Sequence, residues 1–229
     1  MSLLSIFSVQ KANIYAEDAL SHDGHLLVFP VIAIWKITES VDELHRQLLS
    51  EWGEAAHGFL QLKAESRQRE WLAVRLLFAH LLKAPFEIEY APSGKPYLKN
   101  SELHISISHT KGYAAVALSR TPIGIDIEQR GGKALKIRDK FLQDTELNLR
   151  PTLSLEDDAV LLWSAKEAVY KLQSTPSPRL KEDILIYQEE ENLLARPANA
   201  EPTALLHWHL QEYFILTCAR FLPPIETTC

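Results

Sequence analysis

Two short runs of strict alternation lie close together in the chain and constrain it more than any other feature. Leu103, Ile105 and Ile107 alternate with His104, Ser106 and Ser108, and Ile123, Ile125 and Ile127 alternate with Gly124, Asp126 and Glu128. A period of two sends successive side chains to opposite faces of a strand. A turn near Thr110–Gly112 joins the first run to a second strand, which makes a hairpin, and the acid-bearing strand follows directly. The isoleucines of that strand face a core, so Asp126 and Glu128 share the opposite side. Like charges so close repel and raise each other's pKa unless a cation lies between them. The same alternation is also the ordinary signature of an antiparallel strand with one solvated face.

The flanking sequence supplies the other elements. Residues 26–37 read as a strand, and Ser40 with Glu43 has the form of a capping box that opens a helix over 41–50. A second helix is expected over 65–83, with Trp71, Val74, Leu77, Leu81 and Leu82 as its apolar stripe and Arg67, Arg69 and Arg75 on its other face. The stretch APSGKPYL, residues 91–98, is turn-rich. Residues 133–150 read as helical with a break near Phe141, and 156–172 as a strong helix. In the latter, Leu161, Ala165, Ala168 and Leu172 form the buried stripe, while Ser164, Glu167 and Lys171 share another face at spacings of three and four. STPSPR, residues 174–179, reads as a loop, and segments such as ALLHWHL and EYFILTCA as short closing strands. The elements divide into two similar halves, 1–120 and 121–229, each combining a small antiparallel sheet with a long helix. The expected class is therefore α+β.

Length and charge narrow the function. A chain of 229 residues holds one large or two small domains. Its net charge of −6 argues against broad nucleic-acid binding, which depends on basic residues neutralising phosphates. The longest apolar run, LLVFPVIAIW, is too short to span a bilayer and is interrupted by Pro30. The N-terminal MSLLSIFSVQ lacks a basic region and a small-residue cleavage site, so no signal peptide is read there. Cys218 and Cys229 form neither a zinc spacing nor a disulfide framework. A reducing cytoplasm is the expected compartment.

Each remaining polar signal has an ordinary reading when taken alone. A Gly-Lys-Pro around Lys95 is a turn, His109 at a hairpin corner is a surface histidine, and Glu167 with Lys171 is a helical surface ion pair. Together they change character. A helical carboxylate from Glu167 completes an oxygen-only site with Asp126 and Glu128, and hard oxygen ligands suit magnesium shared with substrate phosphates. Arg69, Arg75, Lys95, His109 and Lys171 are then the expected partners of a polyanion. The set describes a site for a magnesium–diphosphate.

The ordered motifs SGKPYL, SISHTKGYAAVAL, PIGIDIE, FLQDTE and LLWSAKEAVYKL resemble the 4'-phosphopantetheinyl transferases of the surfactin-synthetase type. The resemblance covers roughly residues 65–172 with motifs and the full length by size, and the W-x-x-K-E-x-x-x-K element after G-I-D-I-E is the most specific of them. The resemblance implies a pseudo-dimer of two α+β halves, a monomer with internal pseudo-two-fold symmetry. It implies transfer of the phosphopantetheine arm of coenzyme A to a serine of an apo acyl or peptidyl carrier protein, with release of adenosine 3',5'-bisphosphate. Such carriers serve fatty-acid, polyketide or nonribosomal peptide synthesis.

Carried over residue by residue, Asp126 and Glu128 match the magnesium ligands. Glu167 matches the helical glutamate that contributes to the metal site and is the candidate base for the carrier serine. Lys171 matches the lysine that contacts the diphosphate and assists the leaving group. Ser108 and His109 match the pair that contacts the coenzyme A phosphates, Lys95 the lysine near the nucleotide, and Arg69 and Arg75 the basic helix that meets the 3'-phosphate. Two other classes compete with this reading. A metal-dependent nuclease also pairs acids with a lysine, but the acidic net charge disfavours a nucleic-acid cleft. A non-catalytic module binding carrier protein or coenzyme A would have no need of all three acids and Lys171.

Overall fold

A computed structural model describes residues 30–173, 179–197 and 203–222, except the side chains of 54–57, together with the backbone of 5–9 and 12–16. The start of the strand expected over 26–37, most of the loop expected over 174–179 and the terminal Cys229 lie outside the described residues. The chain divides into two compact units. One runs to Ala91 and resumes over Pro96–Arg120; the other takes Pro92–Lys95 and everything from Thr121 onward. The GKP turn is thus split, with Lys95 packed in the second unit although the sequence division puts it in the first half.

In the first unit, β1 (Ser5–Val9), β2 (Ala12–Ala16) and β3 (Val31–Lys36) lead to α1 (Val41–Trp52) and α2 (Glu65–Leu82). The small hairpin β4 (Ile88–Tyr90) and β5 (Pro96–Leu98) follows, then β6 (His104–Thr110) and β7 (Tyr113–Ser119). The five-stranded antiparallel sheet has the order β1-β2-β3-β7-β6. The capping box forms as expected: Ser40 Oγ accepts from the Glu43 N–H, and the Glu43 carboxylate accepts from the Ser40 N–H. Helix α2 is buried on more sides than one stripe provides, because Leu72, Ala73, Val74 and Leu76–Ala79 are all shielded. It packs on α1, β3, β7 and the 3-10 turn Gly53–Gln61, so its middle has no wet face.

The second unit contains β8 (Ile123–Gln129), α3 (Lys133–Ile137), α4 (Leu155–Gln173), α5 (Leu180–Asp183), β9 (Ile184–Glu189), β10 (Asn192–Pro197), β11 (Ala204–Leu210) and β12 (Phe214–Phe221). Its antiparallel sheet has the order β8-β12-β11-β10-β9. Each unit therefore pairs a five-stranded antiparallel sheet with one long helix, the α+β make-up the patterning predicts. The apolar stripe Leu161, Ala165, Ala168 and Leu172 is buried against the sheet, each residue 1% exposed or less.

The helix expected over 133–150 is largely absent. Only α3 and two 3-10 turns, Arg138–Lys140 and Asp144–Glu146, are helical. The segment does break at Phe141, where Phe141 and Leu142 both enter the core, a demand one side of a continuous helix meets poorly. Beyond it Glu146 is fully buried. Its carboxylate accepts from the Gln143 and Ile186 N–H groups and from the equally buried Lys166 ammonium at 2.8 Å. Lys166 also donates to the Leu180 and Ile184 carbonyls. This network ties α4 to the start of β9. A second tie joins the end of β8 to the first turn of α4, where Arg130 meets Asp157 through two parallel N–H···O bonds of 2.7 Å, the geometry that makes guanidinium–carboxylate pairs strong.

Candidate active site

The site in the second unit is built where α4 lies across β8. Gly124 sets the approach: a Cβ there would stand 2.0 Å from the Ala168 carbonyl oxygen and 2.6 Å from the Leu172 nitrogen, so only glycine lets helix backbone and strand meet so closely. From that contact the strand and helix register fall into place. Ser164 Oγ donates to the Asp126 carbonyl at 3.2 Å, and Trp163 Nε1 donates to Glu128 Oε1 at 3.0 Å. Lys171, two turns further along the helix, reaches back to Asp126 Oδ1 at 2.7 Å, as the tilt of helical side chains toward the N-terminus favours. Its ammonium thus serves Asp126 across the interface, which a reading of Glu167 and Lys171 as a surface pair does not anticipate.

The face of β8 that carries the acids is not solvated. Asp126 is 4% exposed, Glu128 and Glu167 are half-buried, and Ile123, Ile125 and Ile127 on the other face are also buried. Desolvation penalises a charged carboxyl. Burial, reinforced by the charge of Asp126, pushes Glu128 up to about 7 against the opposing Trp163 hydrogen bond and Lys171 charge. Burial and then Asp126 also raise Glu167, while Lys171 acts in the other direction. Lys95 donates to the Leu172 carbonyl at 3.0 Å, where a cation complements the C-terminal end of α4, and burial lowers its ammonium pKa.

Among the described residues, no three His, Cys, Asp or Glu side chains are grouped as a metal would need them. The chemistry of the donors nevertheless fits a hard cation: oxygen ligands only, with the charge of Asp126 disfavouring ionisation of both Glu128 and Glu167, which a divalent ion would relieve.

The remaining candidates lie in the first unit. His109 is exposed at the end of β6, with Arg67 Nη1 3.0 Å from its Nε2 and Glu70 3.5 Å from its Nδ1. Ser108 is buried, and as successive strand residues the two side chains point to opposite faces. The three arginines do not share one helix face. Arg67 turns to Glu70 and His109, and Arg69 pairs with Glu65 at 3.6 Å. Arg75 stacks its guanidinium over Trp71, 3.4 Å from the ring centroid, and burial brings its pKa down to about 10. Glu70 is an addition to the residues singled out in the sequence, and its partner Arg67 is read there only as part of a basic helix face; the signal for the pair is the helical spacing of three. Trp163 and Gly124 are further additions, legible only as members of the W-x-x-K-E and G-I-D-I-E motifs.

The match to a family model falls in the second unit. Residues 122–218 match the family model of the 4'-phosphopantetheinyl transferase superfamily. The chain is similar to the 4'-phosphopantetheinyl transferase gsp of Aneurinibacillus migulanus, 32% identical over 81 residues, and to a 4'-phosphopantetheinyl transferase of Bacillus subtilis, 34% identical over 82 residues. The aligned stretches cover 34% of this chain in both cases, and 34% and 37% of the respective relatives, about a third of their length. The region matched by the family model spans β8, α4 and most of β12, the elements that carry or flank the acid cluster.

Proposed function

We propose that the protein transfers the 4'-phosphopantetheine arm of coenzyme A to a serine of an apo acyl or peptidyl carrier protein. The observation that carries this reading is the α4–β8 contact at Gly124, which gathers Asp126, Glu128, Glu167 and Lys171 into one half-buried acid–lysine site. Phosphoryl transfer asks little covalent chemistry of a protein, so positioning and charge carry the rate. Asp126, Glu128 and Glu167 would hold magnesium, which when bound neutralises charge on the diphosphate. Glu167, whose pKa burial and the Asp126 charge raise, accepts the proton of the carrier serine hydroxyl as that oxygen attacks the phosphorus bearing pantetheine. The phosphorus–oxygen bond to adenosine 3',5'-bisphosphate breaks, and the Lys171 ammonium stabilises the negative oxygen that leaves. Burial of the cluster strengthens each of these interactions by excluding water.

The coenzyme A phosphates are assigned to Lys95, His109, Ser108, Arg69 and Arg75. His109 lies exposed beside Arg67, 3.0 Å from its Nη1, and that guanidinium, itself paired with Glu70, is a group suited to phosphate. No helix among the described residues is long and apolar enough to cross a membrane. The test is release of adenosine 3',5'-bisphosphate on mixing the protein with coenzyme A, magnesium and apo carrier. Release that vanishes when the acceptor serine of the carrier is replaced by alanine is the expected result. Release independent of that serine points to hydrolysis, and no release with a carrier still captured points to a binding module.

A further inference from the structure

Thr217 on β12 lies directly across the ladder from Asp126. Opposed residues of an antiparallel pair point to the same face, with Cβ atoms about 4.5–5.5 Å apart. Ile215 and Ala219, two positions to either side, pack in the core formed with α4. The Thr217 side chain therefore stands on the α4 side of the sheet, next to the Asp126 carboxylate. It is 0% exposed, and its Oγ1 has no hydrogen-bond partner among the described residues. A buried hydroxyl left unsatisfied costs stability. Valine would meet the strand's preference for a β-branched residue without that cost, so packing alone does not account for the oxygen.

We propose that Thr217 is a positioning residue for Asp126. In the structure Asp126 Oδ1 is held by the Lys171 ammonium. Transfer requires that ammonium at the diphosphate, which would take a donor from a nearly buried carboxylate. Rotation of Thr217 about χ1, between wells open to threonine, then brings Oγ1–H to the Asp126 carboxylate and keeps it oriented as Lys171 turns away. No proton changes owner; one donor replaces another. This inference rests on the transferase reading above and assigns β12 a part in the site.

Thr217→Val and Thr217→Ser, compared with wild type, test it through melting temperature without ligands and through magnesium affinity by calorimetry in the presence of coenzyme A. Thr217→Val should melt at or above wild type, because the orphaned hydroxyl is gone, yet bind magnesium about tenfold more weakly, the effect of one lost hydrogen bond to a charged group. Thr217→Ser should melt lower, for want of the methyl, and bind magnesium within about twofold of wild type. Melting temperature and metal affinity moving in opposite directions is a pattern that a packing role does not produce. If Thr217→Val does not fold, the contrast of Thr217→Ala with Thr217→Ser isolates the hydroxyl in the same way. Wild-type magnesium affinity in the valine or alanine variant overturns the role of Thr217 and leaves the transferase reading standing. A wild type that neither binds magnesium nor transfers overturns both.

Discussion

Glu128 is protonated over a pH range in which an ordinary glutamate has lost its proton, and the cause is local. Burial raises it to about 7 from 4.5, Asp126 adds to the effect, and Trp163 and Lys171 only partly oppose it. Glu167 is raised by the same two causes in the same order. The folded chain therefore binds more protons here than the unfolded chain between about pH 4.5 and 7, so this site makes stability fall as pH rises through that window. The metal-free protein is expected to lose melting temperature between about pH 4.5 and 7, and Glu128→Gln, which cannot ionise, to lose much less. A thermal-melt series against pH for both proteins checks this; identical slopes would mean that Glu128 is an ordinary acid.

At the scale of elements, the crossing of α4 over β8 is the feature on which the site depends. Gly124→Ala would place a methyl carbon against backbone atoms of Ala168 and Leu172, which cannot rotate away as a side chain would. Overpacking of this kind costs about 1–3 kcal/mol, and the helix must shift from the strand that carries Asp126. Gly124→Ala is therefore expected to lower both melting temperature and transfer, measured on the same preparation, whereas a variant that melts and transfers like wild type would show the contact to be loose. Periodicity made the hairpin β6–β7, strand β8 and helix α4 legible, because each carries an uninterrupted pattern. It could not reveal that both faces of β8 are buried, since alternation reads the same whether the polar side meets water or a helix. Lys166 shows the same limit: next to Glu167 it looks like surface charge, and only the fold brings it to Glu146. The 133–150 segment failed as a helix for a related reason, its shape being set by where Phe141, Leu142 and Glu146 must be buried.

At the scale of the molecule, two units with separate apolar cores divide the candidate residues. The acid cluster with Lys95 and Lys171 belongs to one; His109, Ser108 and the helix α2 arginines belong to the other. The motifs singled out both groups in the sequence, but the contacts of His109 with Arg67 and Glu70 and of Glu128 with Trp163 emerged only in the fold, because they join residues far apart in the chain. The proposed transfer depends on chemistry at the acid cluster, with Glu167 as its base. The most direct measurement is the intact mass of an apo carrier protein under single-turnover conditions with coenzyme A, magnesium and either wild type or Glu167→Gln. Wild type should add one phosphopantetheine arm per carrier. Glu167→Gln, which keeps size and one acceptor but takes no proton, should bind coenzyme A nearly as well and add the arm at least about a hundredfold more slowly. A carrier left unmodified by wild type, or modified as fast by Glu167→Gln at every magnesium concentration, would contradict it.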